Sequence, residues 1–547
     1  MSKRLKDPIY GYINIPIEYT KNVIDTAVFQ RLRRVIQTSY APLYSSAIHN
    51  RFVHSIGVFY LGQIAAKKLQ TEILEKKLLS KKKVEEICKI YKLACLLHDV
   101  GHAPFSHTGE GYYKTDDYKS AEIHKMLVEA VGGKTFKKDI PKEEAKAAAP
   151  HEIMSCIIGI KEFNSFFSDS NSREFFSRCI TGYMYQNSNK ENDIKNCFIS
   201  MLNSKVIDVD RLDYLIRDAY ITGFETVNID YVRLLNALTI VQDNADGKYK
   251  IAYKKDAISI IENVVYAHDA EKKWIQSHPV VLYECYLIRH IIQNLNEKLN
   301  KDNKRLFSPE TLSREGVTFE GGTHISLMCD DDIVYLFKNV FRDDISMEFF
   351  DREKRRHPVW KSEAEYNAFV GSLSLDGRSK AEFQACLKSF VGGNQEDMQL
   401  PIIINKELEE KLEKELQDSE KILKDCKASN QRSSIVAQQK GTKNRLQFCK
   451  YLNKFAEDNG IKDDFIVIRA NMFNSNFSKD EIKKVLIVFN SGENEIISPL
   501  SAVCSILEAE RIKEEFYYIY YRSGTEQIIK DKEKFCTDIF YAANGRD

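Results

Sequence analysis

The sequence predicts a mostly α-helical protein, a helical core followed by a smaller α+β C-terminal lobe. Apolar residues recur at helical spacing in the first part of the chain, as in Ile56, Phe59, Ile64 and Ala65, and again in Val84, Ile87, Tyr91 and Ala94. Gly101 and Pro104 stop the second run. Only near the end does the pattern become β-branched and aromatic, in DDFIVIRANMF (463–473), KKVLIVFN (483–490) and EFYYIYYR (515–522).

Taken in order, IYGYINIP (9–16) reads as a small strand pair and VFQRLRRVIQ (28–37) as helical. Helices follow over His54–Lys68 and Val84–Leu97, which places His98 and Asp99 at the end of a buried helix. The Lys- and Glu-rich stretch 134–149 reads as a solvated insertion, and HEIMSCIIGI (151–160) and 206–220 as amphipathic helices. In TIVQDNADGKYKIAY (239–253), Asp246-Gly247 favours a hairpin turn, and FVGGNQED (390–397) marks a boundary. Leu408, Leu412, Leu416 and Leu423 form a stripe on a charged helix, for packing on its own domain or for oligomerisation; KASNQRSSIVAQQKGTKN (427–444) reads as a loop, and REKRRHPVW (352–360) as a solvated helix end, with contact to nucleic acid or a regulatory nucleotide as the alternative.

Composition narrows the function. A net charge of +1 over 547 residues gives no global field toward nucleic acid or membrane, so any polyanion must be gripped locally. Twelve cysteines without a CxxC pair, and an N-terminus without an apolar core, predict reduced thiols and a cytoplasmic protein. No apolar run reaches the roughly 20 residues that span a bilayer.

The chemistry concentrates in four segments. LLHDVGHAPFSH (96–107) packs His98, Asp99, His102 and His107 together. HNRFVHSIGV (49–58) sets His54 in a first helical turn with Arg51 beside it, an arrangement suited to phosphate. His151 is followed by Glu152, a carboxylate able to tune a histidine general acid. In DVDRLDYLIRDAY (208–220), helical geometry puts Asp210, Tyr214, Arg217 and Asp218 on one face. His54, His98, Asp99 and Asp210 offer two neutral nitrogens and two carboxylates, which balance a divalent ion and leave room for water and substrate.

These segments, with FQRLRRVIQ (29–37), resemble the HD-domain phosphohydrolase superfamily, and within it the deoxynucleoside triphosphate triphosphohydrolases. The resemblance implies a helical HD catalytic core over 1–235, a helical extension over 236–400 completing the nucleotide pocket, and a regulatory or oligomerising lobe over 401–547. It implies His54, His98, Asp99 and Asp210 as ligands of a divalent ion (Mn, Fe, Mg, Zn or Ni), and His107 and His151, the latter oriented by Glu152, as catalytic residues. It places Arg51, His102, Arg211 and His278 on the phosphates, and Gln37, Tyr214 and Asp218 on the deoxyribose. A dNTP substrate, a regulatory nucleotide and a homo-oligomer are the implied partners. The chain departs from the family at Thr38-Ser39-Tyr40 after Gln37, and at His268 and Gln276 in the stretch before His278. Another hydrolase on the same site, a nucleotide phosphatase or a phosphodiesterase, stays open on the residues, as does a nucleotide-sensing assembly module.

Overall fold

Gly11, with φ of +72°, turns strand β1 (Ser2–Asp7) back onto β2 (Gly11–Pro16) in antiparallel register, the strand pair expected from the sequence. The chain is seen in a computed structural model that describes residues 2–113, 120–141, 148–224, 228–299, 306–319, 322–340, 342–373, 377–391, 400–425, 429–470, 485–491, 494–500, 516–522 and 529–545. It divides into two units, one built from Met1–Lys273, Ile292–Phe341 and Phe473–Ile512, the other from Trp274–Ile291, Arg342–Met472 and Lys513–Asp547.

The first unit is mainly helical. Helix α1 (Arg51–Glu75) begins at Asn50, whose side chain accepts Val53 N–H at 3.2 Å, and α2 (Lys81–Leu97) begins at Ser80, which caps Lys83. The apolar face of α2, including Val84, Ile87, Tyr91 and Ala94, is buried and α2 packs on α1. Around this pair lie α3 (Ser120–Val131), α4 (Pro150–Glu162), α5 (Ser170–Thr181), α6 (Lys190–Leu202), α7 (Val209–Thr222), α8 (Ile258–Glu271) and α9 (Asp330–Val340). Asp208 caps α7 by accepting Arg211 N–H at 2.7 Å, and α7 lies against α1. A four-stranded sheet completes the unit. In it β3 (Leu238–Gln242) and β4 (Tyr249–Lys254) form the expected hairpin, β5 (Leu486–Ser491) runs parallel to β4, and β6 (Asn494–Pro499) is the outer strand.

The second unit holds a sheet of four short antiparallel strands in the order 356–358, 517–522, 465–469, 403–404. Trp360, Tyr517 and Tyr520 are buried in its core together with residues of the helices Lys406–Asp425, Ser429–Asp458 and Lys532–Ala543. Leu408 and Leu412 point into that core, so the leucine stripe packs on its own unit. The fold is thus mostly helical with a strand-containing C-terminal region, as the sequence predicts. None of the ten cysteines among the described residues is in a disulfide, and no helix among those residues is long and apolar enough to cross a membrane.

Three local expectations are corrected. The polar run 427–444 was expected as a loop, but from Ser429 it is the first half of a long helix whose second half buries Leu446, Phe448, Cys449 and Leu452. Packing of that second half carries the polar half into the helix, against its composition. The stretch 134–149 includes a helix, Lys134–Asp139, anchored by buried Phe136 and by Asp139 bonded to Arg178 at 2.7 Å. In the cluster 352–360, Arg355 and Arg356 are buried, and Arg356 pairs with Glu348 and with Asp464 at 2.6 Å, so that end is structural. Residues 392–397 of the boundary segment lie outside the described residues.

Candidate metal centre

Three helices converge on one point. His54 lies in the first turn of α1, His98 is the residue after α2 with Asp99 next to it, and Asp210 lies in the first turn of α7. His54 Nε2 stands 2.9 Å from Asp210 Oδ1, 3.2 Å from His98 Nε2 and 3.5 Å from Asp99 Oδ2. His98 Nε2 stands 3.4 Å from Asp210 Oδ1 and 3.5 Å from Asp99 Oδ1. Neighbouring ligands bound at about 2.1 Å to one first-row ion stand about 3.0 to 3.4 Å apart, so the donor spacing fits a single divalent ion. Asp210 is the outward member, with 39% of its side chain exposed, and it marks the open side of the site.

The rings are aimed from behind. His98 Nδ1 donates to the Cys95 carbonyl at 3.0 Å and His54 Nδ1 donates to Asp213 Oδ2 at 2.8 Å, which leaves both Nε2 lone pairs facing the centre. Asp213 is held in turn by Arg217 Nε at 2.9 Å and by the Tyr10 hydroxyl at 2.7 Å. Sequence reasoning missed Asp213, although its place three residues after Asp210 was the available signal. Gly57 makes the approach possible: a Cβ there would stand 1.8 Å from Asp213 Oδ1 and 2.5 Å from Arg217 Nη2. Gly57→Ala is therefore expected to cost about 3 kcal/mol by displacing a buried ion pair, read as a lowered midpoint in chemical denaturation.

Charge explains why this pocket suits a cation. Burial works against a charged His54, yet hydrogen bonds to Asp210 and Asp213 and the nearby carboxylate charge carry its pKa up to about 10. Burial likewise works against a charged Asp99, but the Arg51 guanidinium beside it holds its carboxyl well below the usual range. A pocket that draws a buried imidazole into its cationic form carries excess negative charge, which a divalent ion neutralises.

A second cluster of rings adjoins the first. His102, fully buried, places Nε2 3.2 Å from Asp99 Oδ1, and its ring stacks on His151 with centroids 4.1 Å apart and planes 15° apart. His107 meets both rings edge-on. Near-parallel imidazoles direct their in-plane lone pairs along parallel lines, so His102 and His151 are poorly laid out to chelate one ion between them. Burial and the neighbouring charges of Arg51 and His151 keep His102 neutral.

Glu110, which sequence reasoning did not single out, binds the other two rings, accepting from His151 Nδ1 at 2.6 Å and from His107 Nδ1 at 3.0 Å. Burial would lower the His151 pKa, but the Glu110 carboxylate carries it up to about 9. Glu152 does not orient His151. It sits at the third position of α4, where it reaches back to Ala149 N–H at 2.6 Å, and it accepts from Asn203 at 2.6 Å. Successive helical residues point about 100° apart, so the neighbour in sequence is not the neighbour in space.

The remaining candidates divide. Arg51 donates to Asp99 Oδ2 and to Ser106 Oγ, each at 2.8 Å, at the edge of the metal ligands. Gln37 is buried with its Oε1 unpartnered, opposite His49, whose Nε2 donates to Asp218 Oδ1 at 2.7 Å. His49 is a further residue that was not anticipated. Tyr214 is half-buried one turn along α7 from Asp210. Arg211 is turned to its own loop, donating to the carbonyls of Lys205 at 2.6 Å and Val206 at 3.1 Å. His278 belongs to the second unit, where its Nδ1 accepts Val280 N–H at 3.2 Å.

Residues 51–159 match the HD domain family. The chain is 28% identical over 357 residues to an uncharacterized protein of Methanocaldococcus jannaschii, covering 64% of this chain and 61% of that protein. It is 32% identical over 254 residues to the deoxynucleoside triphosphate triphosphohydrolase SAMHD1 homolog of Dictyostelium discoideum, covering 44% of this chain and 40% of that protein. Against the deoxynucleoside triphosphate triphosphohydrolase SAMHD1 of Danio rerio the identity is 32% over 245 residues, covering 43% and 36%. The chain spans about half the length of such relatives. The match covers α1 and α2, with His54, His98 and Asp99, though not α7; the chain thus contains an HD domain and is similar over part of its length to deoxynucleoside triphosphate triphosphohydrolases.

Proposed function

We propose that the protein is a divalent-metal-dependent hydrolase of deoxynucleoside triphosphates, releasing deoxynucleoside and inorganic tripolyphosphate. The observation that carries this reading is the cluster of His54, His98 and Asp99, with Asp210 2.9 Å from His54, lying against rings among which His151 is held charged, on a chain similar to dNTP triphosphohydrolases. His54, His98, Asp99 and Asp210 would hold a divalent ion, which when bound would supply the positive charge to acidify an attacking water and screen phosphoryl oxygens. His151, kept charged by Glu110, donates the proton to the departing 5′-oxygen. Neutral His102 and the Arg51 guanidinium line the approach of the phosphates, while Gln37, Asp218 and Tyr214 receive the sugar. Residues 1–235 then supply the catalytic machinery, and 236–547 the remaining grip and any nucleotide-controlled assembly.

One observation favours a smaller substrate. Arg51 and Arg211 both have donors committed to groups of the protein, which suits a nucleoside monophosphate or a phosphodiester needing fewer cationic contacts. A product-resolved screen of dNTPs, nucleoside monophosphates and single-stranded DNA with Mn²⁺ or Mg²⁺ separates the readings. Tripolyphosphate and deoxynucleoside are expected; orthophosphate alone would replace the triphosphohydrolase with a phosphatase. Sedimentation with and without dNTP reads assembly in the same samples, and stabilisation by nucleotide without turnover would mark a sensing module.

A further inference from the structure

The loop bearing His102 and His107 takes an uncommon path. Phe105 and the next residue, Ser106, both lie in the left-handed region, with φ of +59° and +54°. Residues with side chains rest there only where the surroundings over-determine them. The atoms that do so come from a distant stretch of the chain. Asp330, 7% exposed at the start of α9, accepts Phe105 N–H through Oδ1 at 2.7 Å and Ile36 N–H through Oδ2 at 2.8 Å. Arg31, 4% exposed, donates Nη2 to the carbonyls of Val100 at 2.8 Å and His102 at 2.9 Å, and Nη1 to the Met328 carbonyl at 2.9 Å. The Ser106 hydroxyl donates to the Ile36 carbonyl and accepts from Arg51 Nε at 2.8 Å, which ties the same turn to the edge of the metal ligands.

We propose that Asp330 and Arg31 are positioning residues, a clasp through residues 328–330 that fixes the turn 100–107, and with it the rings of His102 and His107, relative to the metal donors. One carboxylate joins the residue before Gln37 to a residue between His102 and His107, so the sugar-side and phosphate-side segments share a single anchor. Two N–H groups from separate segments require two acceptors, and a carboxylate provides both. An asparagine provides one, and sets its own N–H against the other donor. The effect on turnover rests on the functional reading above; the clasp itself does not.

The test uses the full chain with Asp330→Asn, and Arg31→Lys as a second variant, measured for bound Mn²⁺, backbone hydrogen exchange, kcat and KM on dNTPs. Exchange at Ile36 and Phe105 is expected to accelerate at least about 10-fold, with Mn²⁺ content unchanged. On the same variants kcat falls at least about 10-fold while KM moves less than about 3-fold, since small misplacement of reacting groups costs rate more than binding. Exchange at both amides within about 2-fold of wild type overturns the clasp. Faster exchange with unchanged kcat, or loss of Mn²⁺ along with the rate, overturns the positioning role. A wild-type protein that hydrolyses no dNTP overturns the functional reading alone, because exchange and Mn²⁺ content still decide the clasp.

Discussion

Asp210→Ala is expected to abolish retention of the divalent ion and to lower turnover at least about 100-fold, beyond the 10- to 100-fold that loss of an orienting second partner costs. The residue separates metal binding from folding. Its side chain is 39% exposed and adds negative charge to a pocket that already holds Asp99 and Asp213, so its removal leaves the metal-free fold intact. Wild-type protein at 100 times the Kd for Mn²⁺ gains about 2.7 kcal/mol of stability by linkage, seen as a rise in Tm. Asp210→Ala should melt at the same temperature with and without Mn²⁺. Asp213→Asn, which leaves all four donors but loosens the hold on His54, should keep a weaker Mn²⁺-dependent rise. Full metal content in Asp210→Ala after gel filtration would remove this residue from the ligand set.

What a linear pattern can carry is visible in these two aspartates. Helical periodicity makes the end of α2 and the start of α7 legible, and with them His98, Asp99 and Asp210 as neighbours of a helix terminus. Asp213 lies in the same helix, but its task depends on Gly57 of α1 leaving room for its carboxylate, and no spacing rule encodes that fit. Glu110 and Asp330 were illegible for a related reason. Glu110 lies in a short 3₁₀ turn and Asp330 reaches its partners across 225 and 294 residues, so their contacts belong to tertiary packing. Glu152 drew attention because it follows His151, and helix capping claims it instead. The helix Ser429–Asp458 shows the same limit in the fold: a Ser-, Gln- and Asn-rich stretch reads as a loop until the core that holds its far end is known.

Glu110→Gln is expected to lower the alkaline limit of activity by up to about two pH units. In the wild type the Glu110 carboxylate keeps His151 charged up to about pH 9 against a burial that favours the neutral ring. A proton donor to the leaving oxygen works only while protonated, so kcat should hold through neutral pH and fall as pH rises through about 9. With a neutral glutamine the burial remains and the main opposing charge is gone, leaving only the weaker pull of Glu152 and Asp99, so the His151 pKa falls back toward its ordinary value of 6.5. At pH 8 an imidazole at that ordinary value is protonated only to a few per cent, so protonation alone costs up to about 30-fold. The side-chain amide still offers one acceptor, so His151 or His107 loses its orienting partner as well, which adds to that loss. Stability follows the same sign. A raised folded-state pKa contributes stability that is fully present below about pH 6.5 and is lost as pH rises through about 9, so the denaturation midpoints of wild type and variant should differ most in acid and converge in alkali. An alkaline limit that stays near 9 in Glu110→Gln would mean that His151 is not the donor whose ionisation controls the rate. His107, with 65% of its side chain exposed at the mouth of the site, would then be the histidine to vary next.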